Sequence, residues 1–292
     1  MKYTLTLIGN SAASLTDEMA AAASGLLPNS SPPDWLREGH ACDIHFDADD
    51  AAPFAPALRA KFATTIDLAI QPADGRRKLL LVADMDSTII QQECIDELAA
   101  ELGLKDKISE ITARAMRGEI DFEPALRERV GLLKGLPLSA LESVYQNRIT
   151  EMPGGRALVA TMKKHGATCA LVSGGFTFFT ERVAAAVGFD INQANTLIFA
   201  DGKLTGDVGE PILGRQAKID ALVALRDERK LPKLATLAVG DGANDLGMIE
   251  EAGLGVALHA KPVVAEAADA RIDHGDLTAL LYLQGYRFSD FV

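Results

Sequence analysis

Apolar and polar residues alternate in YTLTLIG (3–9), a spacing that predicts a strand. SLTDEMAAAASGLL reads next as a helix, HACDIHFDA alternates again, APFAPALRAKFA is helical and TTIDLAIQPA is extended. Three strands and two helices in β-α-β-α-β order predict a small N-terminal α/β domain over residues 1–74. QPADGRRK (71–78) supplies the polar, turn-rich boundary after it.

From Lys78 onward the pattern changes. KLLLVAD, ATCALVSGG, LATLAVGDG and GLGVALH are short, continuously apolar runs flanked by polar or glycine-containing turns. Parallel strands covered on both faces have this character, and helical segments separate the runs. Residues 75–292 are therefore expected to form an α/β core with a doubly wound, Rossmann-like parallel sheet. The connection from Asp84 to Cys169 is too long for a simple crossover. Within it, CIDELAAELGL places Ile95, Leu98, Ala99 and Leu102 on one helical face, and DFEPALRERVGLLKGL does the same with Phe122, Leu126, Val130 and Leu133. Residues 93–152, closed by EMPGG, are expected to be a helical cap inserted into the core. LIFADGKLTGDV reads as a hairpin turning at Asp201-Gly202.

Charge narrows the partners. Among 292 residues the formal net charge is −12, which argues against nucleic acid or an anionic membrane surface. Three scattered cysteines, Cys42, Cys94 and Cys169, make neither a disulfide framework nor a zinc motif. No apolar run approaches the roughly 20 residues of a membrane helix. MKYTLTLIGNS lacks signal-peptide character, so a cytoplasmic location is expected.

Polar residues gather where the apolar runs end: Asp84 and Asp86 after the first, Ser173-Gly174-Gly175 after the second, Asp241 to Asp245 after the third, with Lys218 between the last two. Ligands of open α/β sheets bind at such strand ends. Carboxylates crowded together repel unless a cation neutralises them, and hard oxygen ligands suit Mg²⁺. Ser173 and the backbone N–H groups beside Gly174 can receive an anion, to which Lys218 adds charge. A metal, an anion pocket and a free carboxylate describe phosphoryl transfer through an aspartyl phosphate.

DMDST (84–88), VSGGF (172–176), Lys218 and GDGAND (240–245) resemble, in order, the four motifs of the haloacid dehalogenase superfamily. QQECIDELA (91–99) and FEPALRERVGLLKG (122–135) extend the likeness to members that act on phosphoserine, from about Lys78 onward. The resemblance implies a haloacid dehalogenase-like core that hydrolyses O-phospho-L-serine with Mg²⁺. Asp84 would be the nucleophile and Asp86 the acid and base. Asp84, the backbone carbonyl of Asp86 and Asp241 would hold Mg²⁺, supported by Asp245 and Thr88. Ser173, Gly174, Lys218 and Asn244 would hold the phosphoryl group. Arg129 lies on the apolar side of its helix, where a guanidinium needs an anionic partner. That partner is either a cap glutamate or, as the resemblance implies, the substrate carboxylate, with Glu93 on the ammonium. Arg127 points the other way. Met116 and Phe122 suit the substrate pocket and a simple core equally. Transfer of the phosphoryl group to a second alcohol such as homoserine, and a non-catalytic amino-acid-binding regulator, are the rival readings. Homodimerisation is left open.

Overall fold

The computed structural model describes residues 1–10, 14–116 and 119–292. The elements run β1 (Lys2–Ile8), α1 (Asp17–Ser24), β2 (Asp34–Arg37), β3 (Ala41–Asp47), α2 (Ala55–Phe62), β4 (Asp67–Pro72), β5 (Leu80–Ala83), α3 (Cys94–Glu101), α4 (Lys105–Met116), α5 (Phe122–Leu132), α6 (Leu138–Asn147) and α7 (Gly155–Lys164). They continue with β6 (Thr168–Phe176), α8 (Thr177–Val187), β7 (Ile191–Asn195), β8 (Leu197–Ala200), β9 (Lys203–Val208), α9 (Arg215–Glu228), β10 (Thr236–Gly240), α10 (Leu246–Glu251), β11 (Gly255–Leu258), α11 (Pro262–Ala267), β12 (Ala270–Ile272) and α12 (Ala279–Leu283). The chain divides into two compact units: Met1–Val82 with Pro153–Cys169 and Leu222–Val292, and Ala83–Met152 with Ala170–Ala221.

In the first unit the sheet order is β2-β3-β1-β4-β12-β11-β10-β5. β1 pairs antiparallel with β3 and β4, so Leu5 faces Ile44 on one side and Ile70 on the other. The β-α-β-β-α-β succession and the order β2-β3-β1-β4 are those of a ferredoxin-like layer. Its fourth strand, β2, was not expected: DWLR is short and only Leu36 is buried. α1 and α2 cover one face through Ala20, Ala23, Leu58 and Phe62, which pack with Leu5, Leu7, Ile44 and Phe46. The polar face of β1 is buried as well, with Thr4 and Thr6 at 0% exposure. α12 packs there, and a strand that alternates in sequence is covered on both sides.

β4 pairs antiparallel with β12 through Leu68 and Arg271, so the layer of the first 72 residues continues into the β12-β11-β10 sheet of the same unit. β12-β11-β10 is parallel, and β10 and β11 are buried throughout, as their apolar runs require. Asp67 reinforces the junction: its buried carboxylate accepts the N–H groups of Asp273 (2.7 Å), His274 (3.1 Å) and Gly275 (2.7 Å). Burial pushes its carboxyl up, and those three donors pull it back.

The second unit holds the parallel pair β6–β7, the helices α3 to α6 and the hairpin β8–β9. Asp201 and Gly202 both have positive φ (51° and 73°), which is the type I′ turn their sequence predicts. α3 buries Ile95, Leu98 and Ala99, and α5 buries Ala125, Leu126 and Val130. Leu102 and Phe122, expected on those apolar faces, are 40% and 36% exposed. Leu102 falls on the C-cap, past the last full turn of α3.

Candidate active site

β5 is apolar to its last residue, and the carboxylates follow at once. Asp84 is buried; its Oδ1 accepts the Met85 N–H (2.8 Å) and lies 2.7 Å from Nζ of Lys218 on α9. Lys218 is 1% exposed. The attraction between the two charges offsets part of the cost of taking both out of water.

Asp86 is held by both oxygens. Oδ1 accepts the Cys94 N–H (2.8 Å) at the start of α3, and Oδ2 accepts the Ser173 hydroxyl (3.3 Å) at the end of β6. Burial pushes the Asp86 carboxyl up; the Cys94 N–H, the Cys94 thiol, Lys218 and Ser173 oppose that shift without cancelling it. A carboxyl displaced upward in this way can carry a proton that an ordinary surface aspartate would have lost.

The packing at the end of β6 explains its glycines. A Cβ at Gly175 would stand 2.8 Å from Asp86 Oδ2 and 3.1 Å from Ser173 Oγ, so only hydrogen fits there. The Gly175 N–H donates to Ser173 Oγ (2.9 Å). The Phe122 ring lies beside Gly174, 3.4 Å from where a Cβ would be. Ser87, at φ 55°, donates to Glu93 Oε1 (2.9 Å), and Thr88 is fully buried behind the turn.

On α5, Arg129 is partly buried. Its Nε donates to the Ala125 carbonyl (3.2 Å) and Nη1 to Thr112 Oγ1 (3.4 Å). Burial lowers its pKa, while the charges of Glu93 and Asp96 oppose the shift. Among the described residues its guanidinium forms no ion pair, so the internal cap salt bridge weighed against a ligand role is not found. Arg127, on the outer face, binds Glu123 (2.9 Å) and Glu210 instead. The side chain of Met116 lies outside the described residues.

In the first unit, GDGAND forms the turn between β10 and α10. Asp245 is fully buried, and its Oδ2 accepts the N–H groups of Asp241 (3.2 Å) and Gly242 (3.0 Å). Asp241 is partly buried beside them, whereas Asn244 is exposed. Asp84 in the second unit, and Asp241 with Asp245 in the first, are carboxylates, and hard oxygen donors of this kind suit Mg²⁺.

The strand-end residues thus fall into two groups: Asp84 with Lys218 and Asp86 with Ser173 in one unit, Asp241 with Asp245 in the other. Cys94, within QQECIDELA but given no role there, binds Asp86 through its N–H, and Asn195, outside every motif, binds the Gly174 carbonyl (2.8 Å). Sequence reasoning missed both, because one contact uses a backbone atom and the other bridges distant segments.

Residues 81–250 match the family model of the haloacid dehalogenase-like hydrolases. The chain belongs to this family. The match begins on β5 and takes in every strand end described above. A phosphoserine phosphatase of Streptomyces coelicolor is 44% identical over 240 residues, which are 81% of this chain and 58% of that protein. A haloacid dehalogenase family hydrolase of Salmonella enterica serovar Typhi superposes with a TM-score of 0.87 at 31% identity, covering 97% of this chain and 98% of the other. A phospho-aspartyl intermediate analogue of a phosphoserine phosphatase superposes with a TM-score of 0.66 at 41% identity, covering 70% of this chain and 98% of its own.

Proposed function

We propose that the chain is a Mg²⁺-dependent phosphoserine phosphatase that works through a phosphorylated Asp84. The observation that carries the reading is the pairing of a buried Asp84 with a buried Lys218, next to an Asp86 held from both sides. The family membership and the phosphoserine phosphatases among its relatives supply the substrate class.

An Asp84 oxygen attacks phosphorus while the bond to the serine oxygen breaks, and Asp86 delivers its proton to that leaving oxygen. Asp86 then takes a proton from water, whose oxygen attacks phosphorus as the bond to Asp84 breaks, releasing phosphate. Lys218 carries positive charge to the phosphoryl oxygens. Ser173 and the backbone around Gly174 orient them. Asp84, the Asp86 carbonyl and Asp241, with Asp245 in support, would hold Mg²⁺, which would supply charge neutralisation. Arg129 receives the substrate carboxylate in its planar fork and Glu93 the ammonium. Asn244 would contact the phosphate.

The test is a Mg²⁺-dependent phosphate-release screen over phosphoserine, phosphothreonine, phosphoglycolate and sugar phosphates, with and without homoserine. Phosphoserine should lead, with stoichiometric free phosphate whether or not homoserine is present. A loss of free phosphate matched by phosphohomoserine would make the chain a transferase, and no turnover of any ester would make it a binder. Among the described residues no helix is long and apolar enough to cross a membrane, which fits a cytoplasmic enzyme.

A further inference from the structure

Asn195 ends β7 in the second unit, is 1% exposed and belongs to no motif. Its side-chain amide donates to the carbonyls of Gly174 (2.8 Å) and Leu213 (3.1 Å), and its oxygen accepts the Leu213 N–H (2.7 Å). Both donor hydrogens and the acceptor are committed, so the side chain has one orientation.

What those bonds hold matters more than their number. The Gly174 carbonyl shares a rigid plane with the Gly175 N–H. That N–H donates to Ser173 Oγ, and Ser173 donates to Asp86 Oδ2. Fixing the oxygen of this peptide fixes the direction of its N–H on the opposite side. Leu213 lies just before α9, the helix that carries Lys218 to Asp84. One buried amide therefore joins the anion loop to the segment that delivers the lysine.

We propose that Asn195 is a positioning residue of the phosphoryl site: by clamping the Gly174–Gly175 peptide to Leu213, it sets the anion loop and Lys218 in register. The proposal rests on the phosphatase reading above. A bland alternative is that Asn195 only staples β7 to its neighbours, and the two differ in what a substitution changes.

Asn195→Asp keeps the size and turns both donors into acceptors, which then face two carbonyl oxygens. In the full chain with Mg²⁺ it should lower kcat about 10–100-fold and weaken competitive inhibition by inorganic phosphate about tenfold or more. Melting should remain cooperative. Asn192→Ala is the control: its side chain sits on the same strand and accepts the Thr180 hydroxyl (3.1 Å). It should keep wild-type kcat and phosphate inhibition. Wild-type values for Asn195→Asp, or losses matched by Asn192→Ala, would overturn the proposal. If Asn195→Asp does not fold, the wild type decides: adding phosphate should shift the Asn195 side-chain and Gly175 amide NMR signals together, and no shift in either would overturn it. A wild type that ignores phosphoserine but cleaves an aryl phosphate, with Asn195→Asp still impaired, would sink the substrate reading and leave this one standing. A wild type that neither cleaves esters nor binds phosphate would overturn both.

Discussion

Each unit of this molecule has a buried ion pair, and the two are built differently. In the first unit Arg76 and Asp43 are 9% and 4% exposed; in the second Lys218 and Asp84 are 1% and 6% exposed. Arg76 is sealed in place. It binds both oxygens of Asp43 (2.6 and 3.0 Å), Thr6 Oγ1 (3.0 Å) and the carbonyls of Tyr282 (3.0 Å) and Leu283 (3.1 Å). Every nitrogen of its fork is committed, and such a pair holds segments together. Lys218 presents a compact ammonium on a flexible stem, and in the proposed mechanism that charge follows the phosphoryl group as the bond to Asp84 forms and breaks. Burial is common to both pairs; the form of the cation is what differs.

The contrast can be broken at four points. The largest effect belongs to Asp84→Asn, which should reduce phosphoserine turnover to background and abolish the trapped phosphoenzyme, because an amide is a poor nucleophile. Appreciable residual turnover would move the nucleophile elsewhere. Arg76→Ala should leave Asp43 buried and unpaired, at a cost of about 3–5 kcal/mol in urea unfolding. The kcat of the folded fraction should stay within about twofold, since the substituted group is not in the catalytic set. A normal unfolding midpoint with lost turnover would reverse the roles of the two pairs.

Arg129→Ala extends the comparison to a partly buried cation whose anion, in the proposed function, is the substrate carboxylate. kcat/KM for phosphoserine should drop about tenfold or more. Arg129→Lys should recover part of that loss, and a carboxylate-free aryl phosphate should be much less affected. Equal losses on both substrates would leave Arg129 holding the cap and reading nothing. The smallest effect is expected of Arg127→Ala. Its partners Glu123 and Glu210 are exposed, and such pairs contribute at most about 1 kcal/mol. A thermal melt showing a larger loss would make the outer face of α5 a structural joint.

The reach of the sequence follows the range of the interactions involved. Strands β5, β6, β10 and β11 announce themselves because continuous apolar runs report burial on both faces, and their polar ends follow within a residue or two. Asp84, Asp86, Ser173 and Asp245 could be picked out for that reason, while their bonding partners could not. β2 and β12 are too short to show a period, and the first of them completes the ferredoxin-like order. Thr4 and Thr6 look solvent-facing in YTLTLIG and are buried, because the residues that cover them come from α12. Arg76 reads as a boundary arginine in a polar turn, yet its acceptors come from three distant stretches of chain. Periodicity reports a face to be covered and never names the segment that covers it.

Arg76 also sets an order of events during synthesis. The Tyr282 carbonyl that it binds lies 206 residues further along the chain. At about 5–20 residues per second, a ribosome needs roughly 10–40 s to make that stretch. Throughout that interval the nascent β4 has no β12 beside it, and one edge of the first sheet is open to strand pairing with a neighbouring chain. The arginine and aspartate that lock the finished unit are then a half-closed clasp, and a chaperone that shields this edge until the late residues emerge should raise the yield of native protein more than one that acts after release.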